Sequence, residues 1–372
     1  HEFHIPLRDL VGLPSVSGNP ERVNSRPFMP TPSLYQPHSA SGQPDDMIGE
    51  APRWQRELAD AVRDPSELCR LLSLPESIAS ERAATVFSLL VPRGFIARMQ
   101  PGDPLDPLLV QVLPQAVELE ERSGFSIDPL GEAAGMETRS LLQKYCGRVL
   151  LLVTGVCAIH CRYCFRREFP YADVGAGVGF NEAIDAIAKD DSIEEVILSG
   201  GDPLSLSDDR LERIVDRIDS IGHVRRLRIH TRLPIVIPSR ITEALLSLIA
   251  RVRMRVIMVV HANHAAEIDC EVAAALERLR CAAVMLFNQS VLMRGVNDSH
   301  VILKQLSERL IDVGVTPYYL HLLDPVSGAA HYDVPHKEAV EMVNKLRDSM
   351  PGYAVPRLVR EVPGESSKHW IH

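Results

Sequence analysis

The sequence predicts an α/β fold: a partial (βα)6, TIM-like barrel preceded by a helical extension. Three observations point to it. After Arg148, six short β-branched or Leu-rich runs alternate with amphipathic stretches of helical period. The runs read as continuously apolar, the pattern of a parallel sheet covered by helices. Polar residues fall just beyond several different runs, as in barrels that build their sites on the C-terminal rim, whereas a doubly wound sheet concentrates its site at one crevice. Six units are fewer than the eight of a closed barrel, so one side is expected to be open.

Taken in order, residues 1–50 hold 8 of the 27 prolines and many Ser, Gly, Asn and Gln with no sustained period, and read as a poorly ordered leader. Order is expected from Arg53. Trp54, Leu58, Ala61 and Val62 recur at helical spacing and stop at Pro65, and Glu67 to Leu74 and Ser80 to Leu90 read as two further helices. Pro101, Pro104 and Pro107 mark a rigid link, followed by more helix to about Leu142, which makes 51–142 a helical region. The barrel is expected over 143–350, with strands at 148–154, 195–199, 225–230, 255–260, 284–288 and 315–320. Helices are expected near 181–189, 206–220, 240–250, 265–279, 299–312 and 336–348, and residues 351–372 form a separate C-terminal segment.

The chain has 372 residues, and 40 Lys and Arg against 49 Asp and Glu leave a formal charge of -9. With a pI near 5.9 there is no broad basic surface for nucleic acid or anionic lipid. The longest apolar runs, such as Val149 to Val156, fall short of the roughly 20 residues a membrane helix needs. No secretory signal is seen at the N-terminus. Seven cysteines, three of them within eight residues, suit a reduced, cytoplasmic, metal-binding protein better than a disulfide scaffold.

Those three, Cys157, Cys161 and Cys164, follow the first run with spacing C-x3-C-x2-C. Thiolates suit iron, and a loop this short can wrap three corners of one cubane cluster, leaving the fourth iron open to a small molecule. The competing reading is a structural zinc site, which usually shows a second ligand pair. Cys69, Cys146, Cys270 and Cys281 are isolated. His160 either faces the cluster or packs beside it.

The cysteine spacing, with Tyr163 and Phe165 around the third thiolate, resembles the radical S-adenosylmethionine (SAM) superfamily. The resemblance implies a [4Fe-4S] cluster that binds SAM at its open iron, and a partial barrel. It also implies that Gly200, Gly201 and Asp202, after the second run, approach the SAM amino group.

The words Cys161 to Phe169, Ser199 to Leu204, Asn288 to Asp298 and Gly364 to Lys368 resemble the lysine 2,3-aminomutase family, from about Arg53 onward. By that resemblance Lys368 forms an imine with pyridoxal 5'-phosphate (PLP), and Arg166 binds the substrate carboxylate. Asp298 and Glu361 hold the distal ammonium of L-lysine, Glu361 standing where the larger free-lysine enzymes have Asp. Arg148 faces cofactor or substrate anions, and Lys144, Tyr145 and Gln289 are pocket candidates. Arg232, His261 and His264 have rim positions that suit packing as well as chemistry.

Glu361, Glu365 and the end of the sequence at His372 place the resemblance nearest the short bacterial form that makes (R)-β-lysine for elongation factor P. That implies a functional link to the factor and its β-lysyl ligase, and a reducing partner such as flavodoxin or ferredoxin. The alternatives are a metabolic 2,3-aminomutase for lysine or another cationic amino acid, and an iron–sulfur scaffold or sensor without catalysis.

Overall fold

The computed structural model describes residues 51–132, 136–138, 140–169, 179–365 and 367–372. The expected leader, 1–50, lies outside the described residues. The chain then forms five short helices: α1 (Arg53–Ala59), α2 (Pro65–Leu71), α3 (Glu81–Val86), α4 (Arg93–Ile96) and α5 (Pro107–Val110). Local sequence explains two of the starts. Asp64 accepts from Ser66 N and Glu67 N ahead of Pro65, and Asp106 from Leu108 N and Leu109 N ahead of Pro107. Proline in a first turn has no N–H to satisfy, so the aspartates cap the donors that remain. The helix expected to run to Leu90 stops at Val86, because Val91 leaves helical geometry to bridge Val62 through two backbone hydrogen bonds.

Of the helix expected up to Leu142, the described residues show only α5. In place of the rest are a 3-10 turn at Ala116–Leu119 and two strands, β1 (Met136–Thr138) and β2 (Leu141–Tyr145). β2 lies antiparallel to β3 (Arg148–Thr154), pairing Leu141 with Leu151 and Leu142 with Leu150. The two leucines fit a helix equally well. Pairing is decided by the outer edge of β3, whose backbone groups would otherwise be left without partners.

From β3 the sheet runs in sequence order through β4 (Glu195–Gly200), β5 (Arg226–Thr231), β6 (Arg255–Val260), β7 (Met285–Val291), β8 (Thr316–His321) and β9 (Arg357–Arg360) to β10 (His369–Trp370). Neighbours from β3 to β9 are parallel, and β10 returns antiparallel to β9. The crossovers carry α6 (Phe180–Lys189), α7 (Asp208–Asp219), α8 (Leu233–Val236), α9 (Glu243–Arg251), α10 (Cys270–Cys281), α11 (His300–Asp312) and α12 (His336–Ser349). The six expected strands are present, two with the expected bounds and the others within three residues at their ends. A seventh parallel strand, β9, joins them, and the C-terminal segment 351–372 supplies β9 and β10. Because β1 and β10 are the two ends of the sheet, the barrel is open, as expected.

The strands are less uniformly apolar than their sequences suggest. On β5, Leu227, Ile229 and Thr231 are buried while Arg226, Arg228 and His230 alternate with them on the other face. The outward face meets the helices: Val149, Leu151, Val196, Leu198 and Ile229 share one core with Ile184, Ile187 and Leu211. Trp54, Leu68, Phe95 and Leu109 belong to the same core, so the short N-terminal helices are built into the barrel wall. Each such side chain contributes about 1.5–3 kcal/mol on burial. The inward face is left to surround a cavity.

Candidate active site

The three cysteines sit on the irregular stretch 155–169 that follows β3, and neighbouring elements hold it from outside. His160 N donates to Leu90 O at 2.9 Å, and Arg162 N to Gln111 O at 2.9 Å. The Arg162 side chain, fully buried, donates to Glu118 at 2.6 Å and to Phe87 O at 2.6 Å, and Arg167 reaches the same carboxylate at 2.9 Å. Two arginines of the Cys161 to Phe169 word therefore anchor the loop. His160 packs beside it: the ring stacks on Phe87 at 5.1 Å, and Nδ1 lies 2.8 Å from Ser88 O. Burial lowers its pKa, which favours the neutral ring.

Gly200 and Gly201 close this loop onto β4. A Cβ on Gly200 would stand 2.3 Å from Thr154 O, and one on Gly201 2.4 Å from Val156 O. Gly200 also has φ +117°, a conformation that L side chains avoid. The close approach that needs these glycines is thus to the chain's own backbone. Asp202 is likewise committed within the protein, accepting from Leu204 N, Thr231 Oγ1, Arg232 N and Leu233 N at 2.6–3.2 Å. Those four donors fill the acceptor sites of a carboxylate, so the expected contact to a SAM ammonium has no lone pair left for it. Burial raises its pKa against the pull of the hydrogen bonds.

All three cysteines, both glycines and Asp202 line one cavity of about 390 Å³ at the C-terminal ends of the strands. The thiols are free. Among the described residues no three His, Cys, Asp or Glu side chains form a cage for a single metal ion. Three free thiols on the wall of one cavity fit a cluster held by three cysteines. Burial and the neighbouring thiols push Cys164 up to about 11 and raise Cys157 well above the ordinary thiol value. Loading the site must therefore release protons as the thiolates form.

Across the cavity stands Lys368, just before β10, on the turn that leaves β9. Its Nζ is paired with Glu361 Oε2, and Tyr145 donates its hydroxyl to Glu361 Oε1. Burial and this hydrogen bond raise the Tyr145 pKa. Arg148 stacks on the Tyr145 ring at 4.5 Å, and its buried Nε has no partner among the described residues. Three inward-facing histidines, His230, His261 and His321, also carry buried Nε2 atoms without partners. Burial holds all three neutral, His261 at about 4. An amine, a cation with spare donor capacity and several neutral polar rings around one space fit an anionic aldehyde cofactor such as PLP. Gln289 lines the same cavity. Of the flanking candidates, the side chain of Lys144 and all of Ser366 lie outside the described residues.

Arg166 is a cavity residue already engaged. Its Nε and Nη2 grip Glu132 at 2.6 and 3.0 Å, and Nη1 donates to Ser199 Oγ and Gly200 O. A substrate carboxylate that binds here must take the place of Glu132.

The family described as a 4Fe-4S single cluster domain matches residues 145–230, the stretch that carries all three cysteines. Over 319 residues the chain is 48% identical to the L-lysine 2,3-aminomutase of Escherichia coli (strain K12), covering 85% of this chain and 93% of that protein. The chain belongs to the L-lysine 2,3-aminomutase family. The Haemophilus influenzae member is 44% identical, over 87% of this chain and 97% of its own, and the Clostridium subterminale member 35%, over 85% and 76%. The family assignment makes this a radical SAM iron–sulfur enzyme and accounts for the open barrel.

Within this aminomutase fold one expected acid is misplaced. Asp298 does not line the cavity. It caps Gly295 N and pairs with Arg294 at 3.2 Å on the outer side of the turn before α11. After β7 the chain turns Leu292, Met293, Val296 and Asn297 into the interior, which leaves Asp298 facing away. Asp324, three residues beyond β8, lines the cavity instead. The rule that singled out polar residues just past a strand end points to Asp324 as well, but the sequence reading stopped at Leu320. Arg228, His230, Tyr319 and His321 were also missed, although the period-2 alternation on β5 signals the first two. His264 stays off the cavity wall, its Nδ1 accepting from Ala266 N.

Proposed function

We propose that the protein converts L-lysine to β-lysine, of R configuration by the family resemblance, with a [4Fe-4S] cluster and SAM on the cysteine side of the cavity and PLP on Lys368. The observation that carries this reading is that Cys157, Cys161 and Cys164 share one cavity with Lys368 and the acids Glu361 and Asp324. When bound, the cluster and SAM supply a 5'-deoxyadenosyl radical, and PLP supplies the π-system through which nitrogen passes from Cα to Cβ. The chain's own residues bind and orient. Asp324 and Glu361 offer negative charge to the distal ammonium, and Arg166 or Arg148 offers a cation to the carboxylate. A distal carboxylate, as in glutamate, would meet like charge there, which selects for a cationic amino acid. Arg148 Nε and the unpartnered histidine nitrogens suit the phosphate of PLP. The buried walls exclude water from a reactive radical.

Delivery of the product to elongation factor P is the narrower half of the proposal. It draws on Glu361 and Glu365 alone, while the comparisons favour the lysine chemistry itself without naming a destination. Anaerobic reconstitution with iron, sulfide, PLP and SAM, followed by product analysis on lysine, arginine and glutamate, tests the chemistry. β-Lysine from lysine alone is the expected result, and its absence sinks the reading. Transfer of the product to elongation factor P by a β-lysyl ligase, set beside accumulation of free β-lysine, separates the two destinations.

A further inference from the structure

Arg232, just beyond β5, is only 5% exposed. Its Nη1 lies 2.7 Å from Cys161 Sγ. The other terminal nitrogen is held by Glu267 Oε2 at 2.9 Å and Gln111 Oε1 at 2.7 Å, and the backbone N donates to Asp202 Oδ2 at 2.7 Å. The guanidinium sits over the Phe95 and Tyr163 rings at 5.4 and 5.8 Å. A planar fork fixed on one side has one direction left for its other nitrogen, and here that direction is the sulfur. Glu267 is fully buried and shared: it also accepts from Gln111 Nε2, Asn263 N and His264 N. Its charge is spread over several donors, and the Arg232 charge is left directed at Cys161.

We propose that Arg232 sets the reduction potential of the cluster by holding a fixed positive charge and an N–H donor on the Cys161 sulfur. The inference rests on the cluster reading and extends it to the control of electron entry. A one-electron reductant adds one negative charge to the cluster, shared with the cysteine sulfurs. A hydrogen bond to a ligating sulfur and a nearby buried cation stabilise that reduced form more than the oxidised one. Arg232 therefore raises the potential and eases the reduction that must precede SAM cleavage. It acts through a cluster ligand, so it is a positioning residue.

The test uses wild type, R232M and R232K, each reconstituted anaerobically with iron and sulfide and without PLP or lysine. Iron and sulfide are counted, and the reduced cluster is followed by electron paramagnetic resonance against dithionite at set potentials. At the wild-type midpoint, R232M with a full cluster is expected to show a reduced-to-oxidised ratio about tenfold lower, which for one electron is about 59 mV. R232K keeps the charge and loses the fork, and is expected to fall between. Equal midpoints for wild type and R232M at equal iron content overturn the proposal. Should R232M take up no iron, R232K decides: a ratio about threefold lower supports the assignment, and an unchanged one overturns it. A wild-type protein that binds no cluster defeats the cluster reading itself, and the iron count shows this before any potential is measured.

Discussion

Glu361 joins two groups that the sequence holds far apart, Lys368 on one carboxylate oxygen and Tyr145 on the other. An acid shared between the amine that receives PLP and the space beside it can take a second ammonium only as Lys368 lets go. Glu361→Gln and Asp324→Asn are each expected to raise KM for lysine by about thirtyfold, the equivalent of about 2 kcal/mol for a charge-assisted hydrogen bond. Asp298→Asn should leave KM unchanged, because its partner Arg294 is exposed and such a pair contributes about 0–1 kcal/mol. Steady-state kinetics on the three variants decide between the acids, and a large KM effect from Asp298 alone would restore the sequence expectation. Lys368→Ala should keep wild-type iron and lose the visible absorption of covalently attached PLP together with all turnover. Retention of that absorption would remove Lys368 from its assigned role.

At the scale of elements, the cysteine loop is positioned from two sides, by the Gly200–Gly201 turn and by the N-terminal helices. Gly200→Ala puts a methyl group 2.3 Å from Thr154 O at a positive φ, a strain of about 1–3 kcal/mol before any relaxation. Lower thermal stability and reduced iron uptake are expected together, and a variant as stable as wild type would show that the turn is not packed as described. Glu118 holds both Arg162 and Arg167 in the interior. Glu118→Gln leaves two buried guanidinium groups without their counter-charge, at a cost of about 3–5 kcal/mol. Urea unfolding measures the loss. Protease sensitivity appearing first near 155–169 would show that this carboxylate anchors the loop.

For the whole molecule, the inward face carries a pH dependence. Burial brings His261 down to about 4 and depresses His230 and His321 as well. The unfolded chain binds these protons near pH 6.5, so between about pH 4 and 6.5 it holds more protons than the folded one. Stability is therefore full above that window and lost as pH falls through it, by about 3 kcal/mol for His261 alone. Thermal melts of the cofactor-free protein should be level from pH 7.5 to about 6.5 and drop from there to pH 5, and His261→Gln should flatten that slope. A melting temperature constant over that range would contradict the neutral, buried state of these rings.

The sequence by itself determined the six βα units and the cysteine triplet, because hydrophobic period and local spacing are short-range properties, whereas Lys368 stood out only through the family resemblance. The sequence reads β1 and the start of β2 as helix and leaves β9 and β10 unassigned, since a short Leu-rich or charged stretch becomes a strand only when a sheet edge is there to pair with it. Tertiary structure alone decided which polar groups meet. Three of the four donors on Asp202, and Glu132, Ser199 and Gly200 around Arg166, come from at least 29 positions away in the chain. Asp298 turns outward because its hydrophobic neighbours turn in, and Asp324 takes a place on the wall because β8 ends just before it. Arg232 reaches Cys161 across 71 residues of chain. Hydrogen-bond saturation and the direction of a side chain depend on neighbours that only the closed fold supplies.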